Sequence, residues 1–343
     1  MSAEADFKPL LKRLVQGETL GAEAAGSAFA AIMAGQVSEP QCAAFLTAFA
    51  LREPTVEEIL GAVKAMRATM HVIHASKGAI DLCGTGGDGR GTLNVSTAAS
   101  FVVAACGVPV AKHGNRNVSS RSGAADVLEA LGVRINLAPL EAERCLQRVG
   151  ICFLFAPTYH PAMNHVAAVR RELGFRTIFN LLGPIANPAN VRRQLIGVFS
   201  DHWLEPLARV LAHLGTEKAW IVHGRDGLDE LTTTDTTHVV VLEDGKISRF
   251  DVRPESLGLN PVPLTALKGG TPEENAGAIR ELLAGATGPF RDIVVLNSAA
   301  ALIVAGKADD LPAGMVQAAA AIDRGHAKEV LMRLVAATER TVA

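Results

Sequence analysis

Aromatic residues and net charge are what this sequence has least of. Its 343 residues include twelve Phe, two Trp and one Tyr, and 33 Lys plus Arg stand against 35 Asp plus Glu. A formal charge of −2 excludes a protein whose main task is to coat nucleic acid or a membrane surface, because such proteins carry a large basic excess. The longest apolar runs, at 43–51 and 101–111, fall short of the ~18 to 20 residues that span a bilayer. The opening MSAEADFKPLLKRL has no apolar signal core, so a cytoplasmic location is expected. Five cysteines (Cys42, Cys83, Cys106, Cys145, Cys152) form no CxxC pair and are odd in number, as expected of reduced thiols packed as small hydrophobes. Disorder is excluded as well, since a chain 49% hydrophobic and 20% charged buries a large core. Glycine, in contrast, is in excess, with 32 residues where average usage gives about 24. The excess is local: eight of them lie between 84 and 123.

The first 75 or so residues read as successive helices. Phe7, Leu10, Leu11 and Leu14 repeat at helical spacing, as do Ala24, Ala28, Ala31 and Ile32. Ser38 with Gln41 and Thr55 with Glu58 have the spacing of capping boxes. Small residues dominate, as in AEAAGSAFAAIMAG, which suits close helix approach in a bundle or an association surface. From Ala79 onward the pattern changes, with strands expected at 79–83, 109–113, 151–157, 195–199, 219–223 and 238–242 and helices at 123–131, 140–149 and 204–214. This alternation predicts an α/β fold with a mostly parallel central sheet flanked by helices. Between 162 and 190 more helix intervenes, followed by a loop at Gly183-Pro184 and Asn187-Pro188, and helical stretches at 279–283, 294–304 and 327–334 close the chain. The expected division is a small helical domain, 1–75 completed by about 162–190, and an α/β domain made of 76–161 and 191–343.

The sharpest segment is DLCGTGGDGRGTLNVST at 81–97, where a strand ends, five glycines fall within 84–91, and a helix opens at Asn94 to Ser96. Glycines let backbone N–H groups converge on phosphate oxygens, and a helix N-terminus adds a favourable dipole. The loop is neither GxGxxG nor GxxxxGK[ST], so dinucleotide and NTP-hydrolase readings lose their usual support. One unit later, KHGNRNVSSRSGA at 112–124 again leaves a strand and enters a helix, with Lys112 as a point charge for an anion. Ligands in open α/β sheets bind beyond the carboxyl ends of strands, where both loops are expected. Asp229 and Glu230 are adjacent carboxylates beyond a further strand, and beside a polyphosphate they suit Mg²⁺, which keeps several waters. Arg170 can present a fork to a carboxylate, with His160 and the Gly183-Pro184 turn shaping an apolar slot.

Taken together and in order, GTGGDGRGTLNVST, KHGNR with SSRSG, HPAM, RRELGFRTIFNLLGPIANP and DGLDEL resemble anthranilate phosphoribosyltransferases over nearly the whole chain. The resemblance implies transfer of the phosphoribosyl group from 5-phosphoribosyl-1-pyrophosphate (PRPP) to the amino group of anthranilate, with Mg²⁺ present and pyrophosphate released. It implies the fold of the nucleoside phosphorylase/phosphoribosyltransferase type and a homodimer that meets through the helical domain, with no nucleic-acid or membrane partner. Carried onto this chain, it places Gly84, Thr85, Gly86, Gly87, Asp88, Thr92, Asn94, Val95, Ser96, Thr97, Lys112, Ser119, Ser120 and Ala124 around PRPP. It places Gly84, His113, Asn115, His160, Arg170 and Pro184 around anthranilate, and Ser96, Asp229 and Glu230 on Mg²⁺. Lys112, His113, Asn115 and Arg170 are the expected catalytic residues. Two rivals share the fold. A pyrimidine nucleoside phosphorylase would need neither the carboxylate pair nor the Arg170 segment, and a non-catalytic nucleic-acid binder would need a basic face.

Overall fold

The computed structural model describes residues 7–116 and 122–339. Four helices come first: α1 (Lys8–Val15), α2 (Ala22–Met33), α3 (Glu39–Arg52) and α4 (Val56–Ala68). Helices α2 and α4 touch backbone to backbone, since a Cβ on Gly61 would stand 2.2 Å from the Ala22 carbonyl oxygen. The small residues of this region therefore serve an internal contact. Thr55 and Glu58 form the expected capping box, the Glu58 amide donating to Thr55 Oγ1 at 3.3 Å and the Thr55 amide to Glu58 Oε2 at 2.7 Å. Glu58 also accepts from the Leu20 amide and from Arg52, so one buried carboxylate ties α4 to the starts and ends of its neighbours. Ser38 departs from expectation: its hydroxyl donates to Gln41 Oε1 at 3.2 Å and caps no amide. Pro40, at the start of the helix, removes one of the amides that such a hydroxyl ordinarily accepts from.

The alternating region follows as β1 (Ile80–Gly84), α5 (Val95–Ala105), β2 (Val110–Gly114), α6 (Ala124–Ala130), α7 (Pro139–Val149) and β3 (Ile151–Phe155). Next come α8 (Ala156–Tyr159), α9 (Asn164–Leu173), α10 (Ile178–Ile185), β4 (Arg193–Gly197), α11 (Leu204–His213), β5 (Lys218–Gly224), β6 (Thr237–Glu243) and β7 (Lys246–Val252). The chain closes with α12 (Pro272–Leu283), α13 (Pro289–Ala305), α14 (Leu311–Asp323) and α15 (His326–Glu339). The seven strands form one sheet in the order β3-β2-β1-β4-β5-β6-β7. Pairing is parallel from β3 through β5 and antiparallel for β5-β6 and β6-β7. The sequence pattern misses β7, a largely exposed edge strand, and α14, whose small side chains give little periodic signal.

Side chains alternate across the strands, so the sheet has two apolar faces. Leu195, Trp220, Val222, Val239 and Val241 join the core under α5, α7, α12, α13 and α15. Ile196, Val198, Ala219, Ile221, Val240 and Leu242 join the core shared with α1 to α4, α9, α10 and α11. Gly183 and Pro184, expected in a loop, form the last turn of α10. A proline is tolerated there because only one helical bond is lost, and the orphan carbonyls are taken by side chains from elsewhere. His113 Nδ1 donates to the Gly183 oxygen at 3.1 Å, Gln194 Nε2 to that of Pro184 at 2.8 Å, and Arg67 to that of Ile185 at 2.7 Å. Among the described residues no helix is long and apolar enough to cross a membrane.

Candidate active site

Strand order reverses between β1 and β4, since β2 and β3 lie on one side of β1 and β5 lies beyond β4. A crevice forms beyond the carboxyl ends of strands at such a switch point. Here it is a cleft of about 420 Å³, lined from one side by the glycine loop and the β2 loop and from the other by α4, α9 and α10. Gly84, Thr85, Gly86, Gly87, Asp88, Thr92, Asn94, Val95, Ser96, Thr97, Lys112, His113, Asn115, Ala124, His160, Arg170, Pro184, Asp229 and Glu230 all line it. Ser119 and Ser120 lie outside the described residues.

The glycine loop owes its shape to residues far away in sequence. Gly86 and Gly87 adopt φ of 64° and 73°, a left-handed conformation that side chains disfavour. Asp229 Oδ2 accepts from the Gly86 amide at 2.8 Å, and a Cβ on Gly84 would lie 2.3 Å from that oxygen. Arg176 donates to the Gly87 carbonyl at 2.6 Å while its guanidinium covers the Phe199 ring. Farther along, the Leu93 amide donates to the Leu267 carbonyl at 2.9 Å and the Gly269 amide to that of Gly91 at 2.9 Å, strapping the loop from behind. The start of α5 is less open than the sequence suggests. Glu230 Oε1 accepts from the Ser96 amide at 3.1 Å, and the Asn94 carboxamide is engaged by Asn275 at 2.8 Å and the Ser122 carbonyl at 3.2 Å. A carboxyl group of the chain itself thus occupies one of the amides that a helix N-terminus leaves open.

Alternation along β2 sends Lys112 and His113 to opposite faces. Lys112 passes under α5, its Nζ donating to the Leu82 carbonyl at 2.5 Å and to Ser96 Oγ at 3.3 Å. His113 faces α10, and because a carbonyl oxygen only accepts, its Nδ1 carries the proton and Nε2 keeps a lone pair. That Nε2 is buried and has no partner among the described residues. Burial first, then the neighbouring His160 ring 5.1 Å away, lowers the His113 pKa to about 3. Burial likewise lowers that of His160 to about 4. Behind β2, fully buried Asp81 accepts from the His113 amide at 3.1 Å and from Asn187 Nδ2 at 2.7 Å, and burial pushes its pKa up to about 6. Asn187 also donates to the Ala111 carbonyl at 2.8 Å, so the chain leaving α10 is pinned to both β1 and β2.

Two parts of the cleft hold ionisable groups without an ion pair among the described residues. Asp229 and Glu230 remain partly accessible to the cleft. Burial pushes both carboxyls well above the usual carboxylate range, with repulsion from Asp88 adding to Asp229 and from Asp229 to Glu230. Such a group of hard oxygens under mutual repulsion fits a divalent cation that keeps its waters and bridges to phosphate. No three His, Cys, Asp or Glu side chains converge as a ready metal cage among the described residues. At the other end, the Arg170 guanidinium lies 5.3 Å from the Phe179 ring centroid and has no carboxylate partner among the described residues, and burial lowers its pKa. Met66, Met163, Ala167, Phe179 and Asn180 complete this end. Met163, Phe179 and Asn180 fall within the HPAM and RRELGFRTIFNLLGPIANP segments but are not among the expected site residues, and Met66 and Ala167 fall in no motif, because nothing in a helix's own pattern tells which apolar positions face a ligand.

Known proteins similar to this chain point the same way. The helical-bundle domain model of a glycosyl transferase family matches residues 8–70, and the a/b domain model of that family matches residues 76–328. The anthranilate phosphoribosyltransferase of Beijerinckia indica subsp. indica is 57% identical over 96% of this chain and 96% of its own length. That of Azorhizobium caulinodans is 53% identical over 97% of each. Among solved structures, anthranilate phosphoribosyltransferase from Thermus thermophilus superposes with a TM-score of 0.90 at 44% identity, covering 96% of this chain and 99% of that one. The Saccharomyces cerevisiae enzyme in complex with PRPP and Mg gives 0.89 at 26% identity, covering 98% and 99%. With both domain models matched and relatives this similar from end to end, the chain belongs to the anthranilate phosphoribosyltransferases of that glycosyl transferase family.

Proposed function

We infer that this protein transfers the 5-phosphoribosyl group of PRPP to the amino group of anthranilate, giving N-(5-phosphoribosyl)anthranilate and pyrophosphate, a step of tryptophan biosynthesis. The observation that carries the reading is the polarity of the cleft. A glycine loop with crowded carboxylates occupies one end, and a half-buried arginine without a carboxylate partner among the described residues occupies the other. The first end suits a magnesium polyphosphate and the second an aromatic carboxylate.

When pyrophosphate leaves an anomeric carbon, the ribose gains oxocarbenium character and negative charge gathers on the departing oxygens. Asp229 and Glu230 would hold Mg²⁺, with the Ser96 hydroxyl on a second ion, and the bound metal would stabilise that departing charge. Lys112 adds a fixed positive charge below the same site, and the loop amides are oriented in advance, so little reorganisation remains for the reaction. Arg170 clamps the anthranilate carboxylate, and Asn115 aims the amine. An arylamine is neutral near pH 7 and attacks without prior deprotonation. The lone pair on His113 Nε2 suits it as a hydrogen-bond acceptor, and its low basicity makes it a poor store for a proton. The same reading divides the chain into a helical domain, 1–75 with 162–190, and a PRPP-binding domain, 76–161 with 191–343. A homodimer through the former is supported by the exposed apolar side chains of Val15 and Leu51 on α1 and α3. A cytoplasmic location accords with this biosynthetic role.

The test mixes protein, PRPP, Mg²⁺ and anthranilate and follows the loss of anthranilate fluorescence. Mg²⁺-dependent consumption is expected. Its absence with folded protein would overturn the reading.

A further inference from the structure

The loop carrying Asp229 and Glu230 is held from behind by a residue outside the cleft. Asn297 lies in the middle of α13 among Val294, Leu296 and Ala300 and is 0% exposed. Burying a carboxamide is unfavourable unless its donors and acceptor are all engaged. Here they are: Oδ1 accepts from the Leu231 amide at 3.0 Å, while Nδ2 donates to the Leu231 carbonyl and the Ile293 carbonyl, each at 2.8 Å. One side chain thus engages both backbone groups of the residue that follows Glu230, much as a paired strand would.

The other side of the loop is closed by the threonine-rich run. The Thr232 amide donates to Thr237 Oγ1 at 2.9 Å, and the Thr232 hydroxyl donates to Asp226 Oδ2 at 2.6 Å. Thr234 also donates to that oxygen, and Asp226 Oδ1 accepts from the Leu228 amide at 3.1 Å. Asp229 and Glu230 therefore sit between two anchored stretches, and their carboxylates reach the Gly86 and Ser96 amides from a fixed base.

We propose that Asn297, with Thr237, is a positioning residue for the cation site. By fixing Leu231 and Thr232 it sets the reach of Asp229 and Glu230 toward a magnesium ion carried in on a polyphosphate. The proposal rests on the function inferred above. Groups that orient metal ligands typically change metal affinity by about 10- to 100-fold when removed.

The experiment uses Mn²⁺ as the probe and reads free Mn²⁺ by electron paramagnetic resonance in the presence of PRPP. Anthranilate affinity is measured on the same samples, and folding is checked by circular dichroism. The wild-type protein is expected to remove more free Mn²⁺ in the presence of PRPP than the same PRPP does without protein. Asn297→Ala is expected to weaken that uptake by about tenfold or more and to leave anthranilate affinity unchanged, a split that general loosening of the fold does not produce. If the variant fails to fold, Thr237→Val, which cuts the second anchor, is expected to show the same split with a smaller shift. No PRPP-dependent Mn²⁺ uptake by the wild type sinks the functional reading itself. Wild-type uptake with unchanged affinity in the folded variants, or equal loss of both ligands, overturns the positioning role alone.

Discussion

At the glycine end of the cleft, backbone approaches closer than any side chain allows set the geometry: a Cβ on Gly84 would lie 2.3 Å from Asp229 Oδ2, and one on Gly197 only 1.5 Å from the Asp229 carbonyl oxygen. At the acceptor end, the walls are side chains on α4, α9 and α10, and the end of α10 is fixed by three side-chain donors, His113, Gln194 and Arg67. The two ends therefore tolerate change unequally. Glycine backbone packed so close to Asp229 leaves no room for even a methyl group, whereas a wall of flexible side chains can be trimmed or extended at modest cost. On the function inferred above, the unyielding end would take the polyphosphate and the end walled by side chains the acceptor.

The largest expected effect follows from the tightest contact. Gly197→Ala must push the Asp229 carbonyl away, and overpacking of this kind costs about 3 kcal/mol. Urea unfolding should show that loss, together with loss of Mn²⁺ uptake. A variant of wild-type stability would mean that the Asp229 loop is free to move, and the contrast between the two ends would disappear. Next, Asp229→Asn with Glu230→Gln is expected to lower Mg²⁺-dependent turnover by about 100-fold or more, the scale on which lost transition-state charge stabilisation is felt. An unchanged Mg²⁺ titration would remove both residues from the metal site.

A smaller effect concerns the acceptor end. His113 and His160 are held neutral in the folded protein with pKa values of about 3 and about 4, while an unfolded histidine titrates near 6.5. Below that value the unfolded chain binds more protons than the folded one. Their contribution to stability is therefore complete above about pH 6.5 and is lost progressively as pH falls toward 4. The buried carboxyls of Asp81, Asp229 and Glu230, whose pKa values are raised, act in the opposite direction over the same range, so the histidine share is read as a difference: the stability of His113→Leu relative to the wild type, measured by denaturant, should rise as pH falls from 7 to 4. A difference that does not change with pH would place His113 in contact with solvent.

Legibility in the sequence differs between the same two ends. The glycine loop, the Lys112 loop and the Asp229-Glu230 pair announce themselves through residue types that chemistry needs at fixed spacing, and they do converge on one cleft. The residues that hold them there do not. Asn297 meets Leu231 across 66 residues and Arg67 meets Ile185 across 118. Gly197 looks like an ordinary strand end until Asp229 is placed against it. Likewise β7 is missed because its exposed, mixed side chains show neither an apolar run nor a clean alternation, its pairing with β6 being what makes it a strand. Local chemistry is written locally; the contacts that aim it are set by tertiary packing.

The divided cleft is tested head-on by the pair of Michaelis constants of Arg170→Ala. Loss of a charge-assisted bond to a carboxylate costs about 2 kcal/mol, or roughly 30-fold. The KM for anthranilate should rise on that scale while the KM for PRPP stays at the wild-type value. Equal rises in both would contradict the division, because the two ends would then not act as separate sites.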